Sequence, residues 1–325
     1  MTPRHRLTVL SLAALAAAAT LPAGAADAYP TRPIRLLVGY TPAGAADYVA
    51  RMFGEALSRQ LGQPVVVDNK PGAGSTLASA ALATAAPDGY TLSIGTATLY
   101  GSDQYLFKAR YKPTDFTPIT RLTVSPLILV VNKDLGISNV KDLIARAKAQ
   151  PGKFNYASSG LGGTPHLAGL QFEKATGAHM THVPYKGGAP ALQAVMSGDV
   201  QFSFGTAGSV IPLGTQGALK MIGVTTPKPS PVAPGLPALA ESGLPGFEFT
   251  FWFGLYGPAG IPPAVRDKLF AAATRALSDP QLRAKLAANG AEVSPSVSPA
   301  EFSKWAAAYG KSALDTVKQA GVKVE

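Results

Sequence analysis

A two-lobed α/β fold, each lobe an open and mostly parallel sheet flanked by helices, is predicted by three features of the chain. Short apolar runs alternate with segments of helical spacing along most of the length, the rhythm of parallel strands joined by crossover helices. Two glycine-rich turns, each leading from a strand-like run into a helix, lie more than a hundred residues apart. The third feature is proportion: 46% hydrophobic and 15% charged residues over 325 positions, with no cysteine. Core burial alone must hold such a chain, and at this length it divides into more than one compact unit.

The chain opens on MTPRHR and then LTVLSLAALAAAATL, a basic start before a short apolar run, followed by small residues at Ala23, Ala25, Ala26 and Ala28. Residues 1–28 are read as a secretory signal peptide, too short and wrongly flanked for a membrane span, with cleavage after Ala25 or Ala28 left open. The mature chain is therefore expected to be soluble and exported to the periplasm. The formal charge of +10 falls to +8 when Arg4 and Arg6 leave. The remaining basic residues are scattered singly rather than interleaved with aromatics, so a nucleic-acid surface is not expected, and the mild positive field suits small anions.

In the first half, Ile34–Tyr40 reads as a buried strand and Ala45–Leu61 as a helix with Val49, Phe53 and Leu57 on one face. Pro64–Asp68 is the next strand, and Ser75 is expected to cap a helix reaching to about Ala85. The turn Pro87-Asp88-Gly89 leads into strand Tyr90–Gly95, and Tyr111–Ile119 is a proline-marked connection. Leu127–Asn132 is expected to cross into the second lobe. There the spacing predicts helices Val140–Ala149, Thr164–Thr176 and Pro190–Ser197, with strands Phe154–Ala157, His182–Tyr185 and Val200–Phe204. Leu219–Val224 reads as the return crossing. TPKPSPVAPGLPALAESGLPGFE is too rich in proline for regular structure and should lie over a surface; Phe249–Tyr256 is apolar and aromatic. Pro263–Ser278, Pro280–Asn289 and Pro299–Gln319 are helices, each with proline near its start. The lobes are assigned as 29–126 with 227–325, and 127–226.

The candidate site rests on the two turns, LVGYTPAGAADYVAR and YASSGLGGTPHLAGL. A strand-to-helix junction leaves the first helical N–H groups unpaired at the positive end of the helix dipole, a seat for an anion. Ala43, Gly44, Ala45 and Ala46 in the first turn, and Ser158, Ser159, Gly160, Gly162 and Thr164 in the second, are the candidate contacts. Neither turn contains lysine or arginine. Asp47 is read either as a carboxylate favoured by the helix dipole or as a contact to a distal donor group. Thr164 is read as a cap whose hydroxyl is committed to its helix or shared with ligand, and His166 as facing either the cleft or a buried partner. Thr96 and Thr98 follow a strand at the carboxyl-end crevice of an open sheet, where Gly205 and Phe204 are also placed. Tyr40, Tyr100 and Phe204 are candidate apolar walls. Asn69 and the Gly72–Ser75 stretch are read as shaping a turn, and Lys186 as bordering the cleft.

An enzyme is disfavoured. There is no G-x-S-x-G elbow and no cysteine nucleophile, and the mature chain has only His166, His179 and His182, with no HExxH. No metal or cofactor is expected, and structural roles are assigned to His179 and His182.

The motifs YPTRPIRLLVGYTPAGAADYVAR, VVVDNKPGAGS, APDGYTL, YKPTDFTPI, NYASSGLGGTPHLAGLQF, HVPYKGGAPALQAVMSGDV, LPALAESGLPGFE and WFGLYGPAGIP span nearly the whole mature chain. Together they resemble the Bug family, the extracytoplasmic solute receptors of tripartite tricarboxylate transporters. The resemblance implies a type II, Venus-flytrap periplasmic binding protein, monomeric, that captures a carboxylated solute and passes it to a permease of one large and one small subunit. It implies that one ligand carboxylate is held by backbone N–H groups, hydroxyls and waters. A departure stands at Pro42-Ala43-Gly44, where the family usually has Pro-Gly-Gly, and at Ala46, where threonine is frequent. Ala43 adds a methyl and the loss of a hydroxyl at Ala46 removes a donor, which shifts the expected solute from a small polar dicarboxylate toward an aromatic or longer-chain one. A receptor signalling to a membrane sensor needs the same capture step and is the alternative.

Overall fold

The computed structural model describes residues 29–42, 44–160, 162–185, 187–319 and 321. The expected signal segment 1–28, Ala43 and Lys186 lie outside the described residues. Strand β1 (Ile34–Val38) runs into helix α1 (Ala45–Leu61), whose Val49, Phe53 and Leu57 are buried as their spacing requires. The helix ends at Gly62, whose left-handed φ of 67° suits glycine. Strand β2 (Val65–Asn69), helix α2 (Thr76–Ala83) and strand β3 (Thr91–Gly95) follow. Ser75 does not cap α2 through its side chain: it sits at φ 83° at the end of a short 3-10 turn, Ala73–Ser75.

Helix α3 (Ser102–Phe107) was not foreseen, and strand β4 (Phe116–Val131) begins eleven positions before the expected Leu127, inside the stretch read as a connection. Its prolines explain the misreading. Register shifts between Pro118 and Thr120 and between Arg121 and Thr123 interrupt the ladder where a missing N–H is tolerated. The second lobe contains α4 (Val140–Ala149), β5 (Asn155–Ser158), α5 (Thr164–Thr176), β6 (Thr181–Pro184), α6 (Gly188–Ser197) and β7 (Phe202–Thr206). Helix α7 (Ala207–Thr215) was also unforeseen, because Gly208, Pro212 and Gly214 argue against it, and β8 (Lys220–Val224) closes the lobe. The chain returns through β9 (Thr250–Pro258) to α8 (Pro263–Leu277), α9 (Pro280–Ala288), β10 (Glu292–Val293) and α10 (Pro299–Gln319).

Strand order runs β2-β1-β3-β9-β4-β7-β5-β6, with β8 and β10 also paired to β4. Pairing is parallel at the outer strands, β1 with β2 and β3, and β5 with β6 and β7. It is antiparallel around β4, whose Phe116–Pro126 half pairs with β9 and whose Leu127–Val131 half pairs with β7 and β8. One strand therefore belongs to both lobes and joins them at Pro126-Leu127. The return passage is clipped to it: the Leu127 N–H donates to Thr225 Oγ1 at 2.9 Å, and the Phe249 N–H to the Thr225 carbonyl at 2.9 Å. Between these, Leu239, Leu244 and Phe247 pack with Leu129, Phe172 and Phe202. Helix α10 spans the molecule, with Phe302 and Ala306 against Trp252 and Tyr256, and Ala313 and Val317 in the core beside Phe172.

Close packing in the second lobe gives a direct test. A Cβ at Gly169 would lie 2.1 Å from a ring carbon of Tyr156, which is fully buried and stacked on Phe202 at 5.5 Å. Gly169→Ala should therefore lower stability by about 1–3 kcal/mol despite the better helix propensity of alanine, as read by urea unfolding. An unchanged midpoint would show that the Tyr156 ring can move.

Candidate functional site

A cleft of about 580 Å³ lies between the lobes. The first lobe contributes Tyr40, Thr41 and Gly44–Ala46 at the start of α1, Thr96 and Thr98 after β3, and Asp103, Leu106 and Phe107 from α3. The second contributes Ser159, Gly160 and Gly162–Pro165 at the start of α5, Gly188, Ala191 and Leu192 on α6, and Ser203–Thr206 with Ser209. Phe251 and Phe253 on β9 complete the wall. The lobes touch across the cleft, since a Cβ on Gly162 would lie 2.5 Å from the Leu106 side chain.

Helix termini determine its polarity. Helices α1, α5, α6 and α7 all begin at this cleft, and none has a side-chain cap at Gly44, Gly163, Gly187 or Thr206. Away from it, Asn139 caps α4 and Asp279 caps α9, while α8 starts on Pro262-Pro263, which carry no N–H. First-turn amides that a side chain meets at α4 and α9 are here left to the cleft, among them those of Ala45 and Ala46 on one side and Thr164 on the other; α2 and α3 also lack a side-chain cap. Among the described residues the lining contains no lysine, arginine or histidine, and the backbone dipoles of these helix starts supply a positive field at the amides.

Each turn is held from behind. Asn69 Nδ2 donates to the Tyr40 carbonyl and to Asp47 Oδ1, both at 3.0 Å, and Arg51 Nε donates to Asp47 Oδ2 at 2.9 Å. In the second turn, Ser158 Oγ accepts the Gly160 N–H at 3.1 Å and shares a 2.7 Å hydrogen bond with His182 Nε2. His166 stacks on His182 with ring centres 3.8 Å apart, and its Nδ1 accepts the Gly162 N–H at 3.0 Å. Burial pushes His166 down to about 3, helped by His182, and pushes His182 down to about 4. Both rings are neutral at pH 7, which the accepting Nδ1 of His166 requires.

The structure therefore sorts the expected residues. Tyr40, Gly44, Ala45, Ala46, Thr96, Thr98, Ser159, Gly160, Gly162, Thr164, Phe204 and Gly205 line the cleft. Asp47, Ser158 and His166 do not: they are buried behind the turns and hold their shape. The Gly162 amide is taken by His166 and is not a free donor. Tyr100 donates its hydroxyl to Tyr256 and lies off the cleft, and Asn69 shapes the first turn as expected. Unforeseen are Asp103, Leu106 and Phe107, on the unforeseen helix, and Thr206 and Ser209 at the start of α7. The short apolar pair Leu106-Phe107 was the one available signal for α3.

Two lobes sharing a strand, with an amide-lined cleft between them, define a solute-binding protein with the periplasmic binding protein fold. The model of the tripartite tricarboxylate transporter family receptor, TctC, matches residues 49–314, and the chain belongs to that family. It is 35% identical over 269 residues to protein BugT of Bordetella pertussis, covering 82% of each chain, so the family is that of the Bug receptors and not one of enzymes. A solved structure of an R. palustris protein with adipate is 33% identical and superposes with a TM-score of 0.80, covering 91% of this chain and 100% of that one. MatC of Rhodopseudomonas palustris, with bound malate, is 32% identical with a TM-score of 0.75, covering 89% and 100%. Among the described residues no helix is long and apolar enough to cross a membrane.

Proposed function

We propose that this protein, exported by its N-terminal segment, captures a carboxylated small molecule between its lobes and delivers it to a tripartite tricarboxylate-type permease. The observation that carries this reading is the convergence of four helix starts without side-chain caps, from both lobes, on one cleft whose described lining holds no basic side chain. A carboxylate needs such donors, and adipate and malate in the two related structures are carboxylates. Contacts from both lobes exist together only in the closed form, so the ligand shifts the population toward closure, the form a permease would read. Leu106, Phe107, Leu192, Phe204, Phe251 and Phe253 supply apolar wall, which favours an aromatic or longer-chain acid over a four-carbon one.

A thermal-shift screen of the mature protein over aliphatic and aromatic acids tests this. An acid present at a hundred times its Kd should add about 2.7 kcal/mol of stability, visible as a rise of several degrees. Stabilisation by no acid, with capture of a neutral or cationic solute instead, overturns the reading.

A further inference from the structure

Among the described lining residues Asp103 carries the one carboxylate, and nothing in the binding scheme above uses it. It is 1% exposed, on the short helix α3. Its two oxygens are treated unequally. Oδ2 accepts the hydroxyl proton of Tyr111, itself buried, whereas Oδ1 is buried with no hydrogen-bond partner. The Thr98 hydroxyl, which shares a 3.2 Å bond with Thr96, is near enough to favour the charged acid. Among the described lining residues no cation stands beside it. A buried acceptor is rarely left unmade, and of the unpartnered buried side-chain atoms among the described residues this one belongs to the cleft lining.

We propose that Asp103 sets the solute's second functional group: it accepts a hydrogen bond from a hydroxyl, amide or ammonium on the solute, so the preferred ligand is a monocarboxylic acid with a distal donor. This deepens the carboxylate-capture reading and rests on it. The first carboxylate of the solute lies at the helix starts, and the distal group meets Asp103. A second carboxylate there would set two like charges together in a buried place, and one of them would have to take up a proton. Burial pushes Asp103 up to about 6, so at pH 8 it is ionised and accepts only. The facing titratable groups are the phenols of Tyr111 and Tyr40, both pushed up by burial and by the charge of Asp103, so both stay neutral and add no second negative charge beside it.

The test is titration calorimetry at pH 8 on the mature protein with acids matched in length: adipate, 6-hydroxyhexanoate, 6-aminohexanoate and hexanoate, with succinate and 4-hydroxybutanoate as the shorter pair. Wild type should bind a hydroxy or amino acid about tenfold or more tightly than the dicarboxylate of equal length. Asp103→Asn, equal in size and still able to accept from Tyr111, should melt near wild type and reduce that preference to about threefold or less. Tyr111→Phe should keep the preference even where it lowers the melting temperature, which separates solute selection from a structural role. Dicarboxylates bound as tightly as their hydroxy analogues by wild type, or a preference unchanged in Asp103→Asn, overturn the proposal alone. If none of the six acids binds while a solute without a carboxylate does, the capture reading fails and the proposal with it.

Discussion

Ala45→Pro should weaken carboxylate binding about 10- to 100-fold while leaving the fold and its melting temperature essentially unchanged. Ala45 is the first residue of α1, the position where proline is best tolerated because that N–H has no intrahelical partner. The preceding Gly44 already has φ −81° and ψ 171°, the extended conformation that a residue before proline prefers. The substitution therefore removes one donor from the cleft and little else. A hydrogen bond to a charged group contributes about 1.5–3 kcal/mol, which sets the size of the effect. Side-chain truncation cannot make this test, because the groups in question are main-chain amides. Natural Pro165, the second residue of α5, shows that a helix start in this cleft accommodates proline, so the donors there are those on either side of it. Calorimetry with the best acid from the screen checks the effect, and affinity within twofold of wild type would show that the anion does not sit at α1.

The sequence showed this chemistry at the turns and missed it wherever the third dimension decides. Apolar runs bounded by glycine and proline located β1, α1, α4, α5 and α10 closely, because each buries one face against a neighbour and its pattern records that. Strand β4 was shortened because prolines are ordinarily read as breaks, whereas here they sit at bulges and at the junction of the lobes. Helices α3 and α7 were lost to length and composition: six residues cannot show a period, and proline and glycine inside nine argue against a helix. Losing α3 also lost Asp103, since an acid in SDQYLF reads as a solvated charge until its burial is known. Asp47 and His166 lie beside the turns in sequence, which alone makes them candidate contacts. The structure turns both inward, where Asn69 and Gly162, respectively, are their partners. A motif records which loop meets the ligand, but not which of its amides a neighbouring side chain has already taken.

That last distinction makes the second turn acid-sensitive. His166 can accept the Gly162 N–H only while neutral, and its stacked neighbour His182 is also held neutral by burial. In the unfolded chain both titrate near 6.5, so below that pH the unfolded state binds protons that the native state refuses until pH 4 or 3. Stability contributed by the pair is complete above about pH 6.5 and is lost as the pH falls toward those folded values. Asp103 opposes this over part of the range: pushed up to about 6 from 3.8, it binds its proton first in the native state and gains stability as the pH drops from 6 to 4. Two protons refused against one retained leave a net loss of about 2 kcal/mol between pH 6 and pH 4, with the half-buried His182 discounted for screening. The melting temperature of the unliganded protein should fall by several degrees over that interval, and affinity for a carboxylate should fall with it as the turn loses its support. His166→Asn places an acceptor where Nδ1 stood without a titrating ring. It should keep the wild-type fold at pH 7 and flatten the acid slope to near zero, because one remaining histidine then balances Asp103. A slope as steep in His166→Asn as in wild type would assign the acid response elsewhere. A slope reversed in sign at pH 4–6 in that variant would mean that Asp103 outweighs His182, placing more of the native charge cost on the cleft acid than on the turn behind it.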